Sequence, residues 1–167
     1  ATTGLTEKFR ITGIGSVGIG TDTPDTLLHI ATDGDGPFIR LQNTDKTVGG
    51  GQTFGGIEFQ STDSSSNCSG VISKIQSLAT GTFDGTSANG GALTFHTSQT
   101  NPVSLQERLR ISSAGNVGIG TDNPSDDYRV TIKSSTSPSN ALLLDTTESN
   151  YNTNLYFAKQ GTNKWII

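Results

Sequence analysis

Residues 110–124 read RISSAGNVGIGTDNP, and residues 10–24, one hundred positions earlier, read RITGIGSVGIGTDTP. The segments that lead into them also match, since residues 7–10 read EKFR and residues 107–110 read ERLR. Self-similarity at a long, fixed period is the signature of a modular protein in which each copy is one structural unit. We therefore expect a modular, elongated body rather than one compact enzyme.

The spacing of the two copies divides the 167 residues of the chain into three parts. Residues 1–24 are expected to be the end of a preceding repeat, with a linker strand and the glycine-rich collar. Residues 25–124 are expected to form one full unit, and residues 125–167 the truncated start of the next. The chain opens on Ala1 and closes on the apolar run KWII, so we expect it to be a piece of a longer protein.

Composition narrows the class of protein. Hydrophobic residues make up 31% of the chain and charged residues only 16%, which allows a thin core and little more. The formal net charge is −4, and no cluster of Lys and Arg forms the basic patch that binds nucleic acid. No apolar run approaches the roughly 18 residues that a membrane-spanning helix needs. The single cysteine, Cys68, lies in Ser/Asn-rich text that favours a free loop thiol over a nucleophile.

Short segments of alternating apolar and polar residues recur between clusters of Gly, Ser, Asn and Asp. Alternation with period two predicts half-buried strands at residues 38–41, 57–59, 93–97 and 103–111. Residues 71–79 fit both helical and strand spacing, and their length and flanking glycines favour a strand. Strands joined by short turns predict an all-β fold of tandem antiparallel β-meander modules of about 100 residues.

The same order of apolar segments restarts after Pro124. The corresponding predicted strands of the second unit lie at residues 128–132, 141–144, 155–157 and 164–167.

The glycines of the repeated segment alternate with branched residues. In a strand, Val117 and Ile119 point to one side, while Gly118 and Gly120 point to the other. A glycine in a strand packs nothing, so it is tolerated where another backbone comes close. Assembly of three identical chains around an axis is one explanation, and a hairpin within the chain is the other. For the trimer, the expected contact residues of both copies are Val17, Gly18, Ile19, Gly20, Val117, Gly118, Ile119 and Gly120.

Glu107 joins this set, because regular alternation places it on one face with Leu105, Leu109 and Ile111. A carboxylate on an apolar face needs a partner, and an arginine of a neighbouring chain is the expected one. We therefore expect Glu107 at the trimer contact as well.

Three segments of the second copy, ERLRI at 107–111, GNVGIGT at 115–121 and NPS at 123–125, resemble a stretch common in the tail fibres and tailspikes of tailed bacteriophages. The sequence between the copies is similar to the sequences of the same fibres, notably IRLQNT at 39–44 and GGIEF at 55–59. In that family the stretch often precedes a C-terminal chaperone domain that excises itself, and the Ser/Lys chemistry of that domain has no counterpart in this sequence.

The resemblance implies an all-β, elongated homotrimeric fibre that forms part of a virion, is made in the host cytoplasm and serves host attachment. The implied partners are two identical chains, other tail or fibre proteins of the virion, and a host surface glycan. Neither nucleic acid binding nor membrane insertion is implied.

We expect no catalytic, cofactor or metal site, and hence no enzyme. The DGDG motif at 33–36 lacks the later Glu of an EF-hand loop. The GIGSVG motif at 13–18 lacks the following helix of a dinucleotide site. His29 and His96 have no metal-ligand spacing. The remaining candidate carboxylates fit turns and caps that recur in both copies: Asp22, Asp25, Asp126 and Asp127.

Three other functions are compatible with the sequence. A polysaccharide-degrading tailspike would carry long parallel β-helices and acidic clusters, which this sequence lacks. A glycan-binding module without catalysis would use loops such as residues 61–70 or 84–91. The third alternative is a cellular surface filament with convergent repeats.

Overall fold

A computed structural model describes residues 7–64, 69–83, 89–99, 104–133, 156–159 and 162–166 of the chain. These residues form strands, turns and irregular segments without a helix, which confirms the all-β prediction. The chain divides into two compact units, Ala1–Leu41 and Gln42–Ile167. The repeat borders that the sequence suggests, after residues 24 and 124, stay a prediction.

The first unit contains one three-stranded sheet. β1 (Phe9–Ile11) and β2 (Val17–Ile19) form an antiparallel hairpin, and β3 (Leu28–Ile30) lies parallel to β2 on its other side. In the hairpin turn, the Gly15 N–H donates to the Thr12 carbonyl at 2.9 Å. Gly15 has a φ of 89° there, a conformation in which an L side chain is strained.

The second unit contains a six-stranded sheet whose strands lie side by side in chain order. The strands are β4 (Thr53–Ser61), β5 (Gly70–Ala79), β6 (Gly91–Gln99), β7 (Ser104–Ile111), β8 (Val117–Ile119) and β9 (Val130–Ile132). β4 to β8 pair antiparallel, and β9 is parallel to β8. A separate antiparallel hairpin joins β10 (Tyr156–Lys159) and β11 (Thr162–Ile166).

The antiparallel meander is confirmed for β4 to β8, since the strands predicted at 57–59, 71–79, 93–97 and 103–111 coincide with β4, β5, β6 and β7. β9, β10 and β11 likewise fall on predicted segments of the second unit.

The strand predicted at residues 38–41 is wrong. These residues have the alternation of a strand, but no neighbouring strand of the described chain pairs with them. The segment predicted at 141–144 and the thiol of Cys68 lie outside the described residues.

The two copies of the repeated sequence fold into the same three-stranded module. Gly18 pairs with Arg10 on one side and His29 on the other, and Gly118 pairs in the same way with Arg110 and Thr131. The sequence predicted antiparallel strand pairs throughout. The structure differs in that the third strand of each module is parallel to its neighbour.

The parallel return is possible over a short connection because the strands are short. Residues 20–27 make the connection in the first copy, and residues 120–129, two residues longer, make it in the second. A strand of three residues spans only about 10 Å. A connection of eight to ten residues is therefore long enough to run back from the end of β2 or β8 to the level at which that strand begins.

The glycines of each module lie beneath this connection. A Cβ on Gly118 would lie 2.7 Å from the carbonyl oxygen of Thr121 and 3.5 Å from Cβ of Pro124. A Cβ on Gly18 would likewise meet the carbonyl oxygen of Thr21. The close backbone that these glycines indicated is therefore the chain's own, and each module contains the hairpin that was the second explanation for the alternation.

A β-bulge in β7 corrects the predicted position of Glu107. Phe95 pairs with Leu109, but the next residue, His96, pairs with Glu107, so that Arg108 has no partner in the ladder. An extra residue reverses the alternation of side chains beyond it. Glu107 consequently lies on the face of His96, opposite Leu109, and the prediction that Leu105, Glu107 and Leu109 share one face is wrong.

The contacts of Gly118 yield a stability prediction. We expect Gly118→Ala to destabilise the second unit by about 1–3 kcal/mol, because the new methyl group would overlap the Thr121 carbonyl. Urea denaturation followed by circular dichroism measures the change.

Gly13→Ala is the matched control. A Cβ on Gly13 would have no atom within 4 Å, and the second copy already has a side chain, Ser113, at the equivalent position. We expect a change within about 0.5 kcal/mol. Equal losses from both variants would contradict the role assigned to the connection.

Candidate assembly surface

One face of the six-stranded sheet is a continuous apolar surface. The strand register places one apolar residue of every strand in a single row, formed by Ile57, Ile75, Phe95, Leu109, Ile119 and Ile132. A second row follows on β6 to β9, formed by Leu93, Ile111, Val117 and Val130. We call these two rows, together with Phe59 on β4, the apolar face.

The apolar face is not covered by the rest of the described chain. Ile57 is 55% exposed, Phe59 54% and Val130 56%, and Ile119 in the interior of the sheet is still 40% exposed. In the described chain three apolar residues are buried, and all of them are small: Val48, Ala79 and Ala92. Sheets with one apolar face are stable when a second layer covers that face, and the described chain supplies no such layer.

The first unit repeats this arrangement on a smaller scale. Its register aligns Phe9 with Ile19 and Ile11 with Val17 on one face of the sheet. Leu28 extends the second of these rows, and Phe9, Ile11, Ile19 and Leu28 are all exposed.

The residues predicted as trimer contacts thus fall into two groups. Val17, Ile19, Val117 and Ile119 lie on the exposed apolar sides of their sheets. Gly18 and Gly118 lie on the opposite sides and are buried by their own connections. Gly20 and Gly120 follow the strands, with φ values of 77° and 71°. Their part in a trimer stays a prediction.

The opposite face of the six-stranded sheet is polar. One row contains Glu58, Lys74, His96 and Glu107, and the next contains Gln76, Thr94 and Arg110. Opposite charges directly across neighbouring strands stabilise a sheet. The polar face is therefore internally complementary, unlike the apolar face, and it needs no covering layer.

Glu107 and Arg110 form a bidentate ion pair on the polar face. Arg110 Nε donates to Glu107 Oε1 at 2.7 Å, and a guanidinium Nη donates to Oε2 at 2.8 Å. The side chains are each 15% exposed, and the hydrogen bond that Arg110 donates to Glu107 raises the pKa of Arg110 above its ordinary value. The arginine that binds Glu107 is thus in the same chain, not in a neighbouring chain as the sequence suggested.

The first copy contains the same pair in a more exposed setting. Arg10 donates two hydrogen bonds of 2.6 Å to Glu7, with both side chains about two-fifths exposed, at 41% and 39%. The hydrogen bond from Arg10 lowers the pKa of Glu7. Since the pair recurs wherever the module recurs, its role is to fix the strand that enters the module.

Of the other candidate site residues, Asp25 and His29 come together, but only within their own connection. Asp25 lies four residues before His29, and its backbone N–H donates to His29 Nδ1 at 3.3 Å. In the second module the backbone N–H of Ser125 donates to the hydroxyl of Thr131 at 3.0 Å, in the same place. These contacts close the connection in each copy. No group of three or more His, Cys, Asp or Glu among the described residues could hold a metal ion.

The depressions of the described surface are open and polar. One of them has Asp126, Asp127, Tyr128 and Arg129 among its lining residues. Arg129 donates to Asn116 Oδ1 and to the carbonyl of Ala114, both at 3.1 Å, so its charge is engaged in holding the turn of the module. No helix in the described part of the chain could cross a membrane.

Sequence reasoning found the branched residues of the repeat but missed most of the apolar face. Ile57, Ile75, Phe95 and Leu109 were each predicted in strands, yet nothing aligned them into one row. The alternation of apolar and polar residues shows which residues of one strand share a face. It does not show which residues of neighbouring strands lie side by side, because β-bulges shift the register between them.

No protein-family model matches the chain, and no curated protein matches it either.

His96 gives the polar face a pH dependence. Its Nε2 lies 3.0 Å from the Thr94 hydroxyl and 3.4 Å from the Gln76 amide nitrogen. Burial lowers the pKa of His96 below its ordinary 6.5, and the like charge of Lys74 adds to this effect. The unfolded chain therefore takes up the proton at a higher pH than the folded chain, so this contribution to stability is complete above pH 6.5 and is lost as the pH falls below that value.

We expect the urea midpoint to fall between about pH 7.5 and pH 5.5, and to fall less in His96→Gln, whose amide does not titrate in that range. Circular dichroism of both proteins at a series of pH values measures the difference. His29→Gln is the control, since His29 lies in the first unit. An identical pH dependence in the wild type and in His96→Gln would contradict this account.

Proposed function

We propose that the chain is a structural, non-enzymatic segment of a homotrimeric virion fibre, of the tail-fibre kind, that serves attachment to the host. In this role the modules form a β shaft, and three copies of the apolar face cover one another. Its partners are two identical chains and other fibre proteins of the virion. Contact with a host surface glycan belongs to the attachment apparatus of which this segment is a part.

The observation that carries the proposal is the uncovered apolar face. Full burial of a Val, Leu, Ile or Phe side chain contributes about 1.5–3 kcal/mol, and the apolar face presents eleven such side chains across six adjacent strands. Exposed in water, a contiguous surface of this kind marks a place where another molecule binds.

Identical chains are the partners that fit this surface best. The apolar side of the module occurs twice in the chain, and a sister chain presents the same two surfaces at the same separation in sequence. The assignment to tail fibres rests on the resemblance of residues 107–125 and of the text between the copies. Nothing in the described residues favours the polysaccharide-degrading, glycan-binding or cellular-filament alternatives.

Light scattering coupled to size-exclusion chromatography tests the proposal. We expect a particle of three chains, which is three times 17.4 kDa. Ile119→Asp should dissociate it, because a carboxylate in the covered apolar face has no partner. Ile14→Asp is the control, since Ile14 is 88% exposed in the hairpin turn and lies on neither row.

A wild-type chain that stays monomeric at every concentration would refute the homotrimer. Equal dissociation by both substitutions would instead refute the assignment of the contact to the apolar face.

A further inference from the structure

Residues 38–41, which end the first unit, form an apolar segment without a partner. Phe38 is 96% exposed, Ile39 66% and Leu41 51%. The described structure contains no hydrogen bond to the backbone of these four residues. Linkers that remain in water are rich in Gly, Ser or Pro, whereas this segment reads FIRL.

The composition of the segment is that of a strand. Ile39 and Leu41 point to one side of an extended backbone, and Phe38 and Arg40 to the other. Backbone donors and acceptors next to such side chains are ordinarily satisfied by a neighbouring strand. The segment therefore has the side-chain alternation of a β-strand, but no strand of the described chain pairs with it.

The outer edge of β4 is a matching acceptor. β4 is the terminal strand of the six-stranded sheet, and at nine residues it is three times as long as β9 at the other edge. Natural sheets protect exposed edges with lysines, prolines or short strands. β4 contains no lysine or proline and is not short, and it has Gly55 and Gly56 beside Ile57 and Phe59. At its start the Thr53 carbonyl accepts from Asn43 Nδ2 at 3.1 Å, and the register shifts lie at Thr53/Gly55 and Phe59/Gln60, so the regular part of the edge is the stretch around Ile57 and Phe59.

The charged residues determine the register in which residues 38–41 would pair with β4. β4 has one charged residue, Glu58, which lies on the polar face opposite Lys74 of β5. If Ile39 and Leu41 extend the apolar face beside Ile57 and Phe59, Arg40 comes to lie next to Glu58. The polar row then continues the alternation of charge, from Arg40 to Glu58 to Lys74.

We propose that residues 38–41 of one copy pair with the outer edge of β4 in a second copy, as a seventh strand that places Arg40 against Glu58. This inference rests on the homo-oligomer proposed above and specifies how its chains are joined. Each chain supplies one donor segment and one acceptor edge, so the contact is head-to-tail, and it forms a closed ring when the rotation from one copy to the next returns to the first. Three is the number in the proposed fibre.

Charge reversal tests the pairing. We expect Arg40→Glu and Glu58→Arg, each alone, to raise the concentration required for half-assembly by about tenfold or more, because like charges then meet. The double variant should return to within about threefold of the wild type. Lys8→Glu combined with Glu58→Arg is the control, and it should show no rescue.

Disulfide capture tests the geometry directly. In a Cys68→Ser background, we expect Arg40→Cys with Glu58→Cys to give covalent dimers and trimers on a denaturing gel after mild oxidation. Arg40→Cys with Lys133→Cys, an exposed position directly after the opposite edge strand, should give none. No hydrogen bond joins residues 38–41 to the rest of the described chain, so Arg40→Cys should leave the fold of each unit unchanged, and circular dichroism of every variant verifies this.

The outcomes separate the two proposals. A trimer by light scattering that shows neither rescue nor covalent products overturns the strand pairing and leaves the fibre segment standing. A disulfide formed within one chain also overturns the pairing. A chain that never associates overturns the fibre segment, and the pairing with it.

Discussion

A β-sheet that is apolar on one side and only one layer thick cannot remain as it is in water. In this protein the constraint is severe, because Ile57, Ile75, Phe95, Leu109, Ile119 and Ile132 are aligned across all six strands. The opposite face satisfies itself through charge and hydrogen bonds between neighbouring strands. No second layer is formed by the described residues, and in the proposed fibre the sister chains would supply one.

Among the described residues, backbone hydrogen bonds and close turns are many and buried apolar side chains are few. In both modules the glycine that follows the second strand of the hairpin donates its backbone N–H to a carbonyl at the first strand. Gly20 donates to Lys8 at 2.9 Å, and Gly120 donates to Arg108 at 3.0 Å. Hydroxyls of Thr12 and Ser112 accept from the turn at 3.0 and 3.1 Å. This explains a composition rich in Gly, Ser and Thr, since such residues close turns without needing an interior.

The bulges determine which side chains meet. Without the unpaired Arg108, Glu107 would lie among Leu109 and Ile111, and the apolar face would contain a carboxylate. With the bulge, Glu107 reaches Arg110 on the polar face, and the apolar rows remain free of charge. The bulge thus separates the two faces of the sheet chemically, because the ion pair lies on one face and the other face remains apolar.

The sequence by itself determined the class of fold, the strands β4 to β8 and the equivalence of the two modules, because these depend on local alternation, turn residues and direct repetition. It also indicated that Gly18 and Gly118 lie close to another backbone. Only the tertiary structure decided that this backbone is the chain's own connection, that a third strand returns parallel, and that Glu107 pairs within the chain. It also decided that residues 38–41 have no strand beside them. These features depend on register and on the path of loops, and a single extra residue in a strand reverses every side chain beyond it.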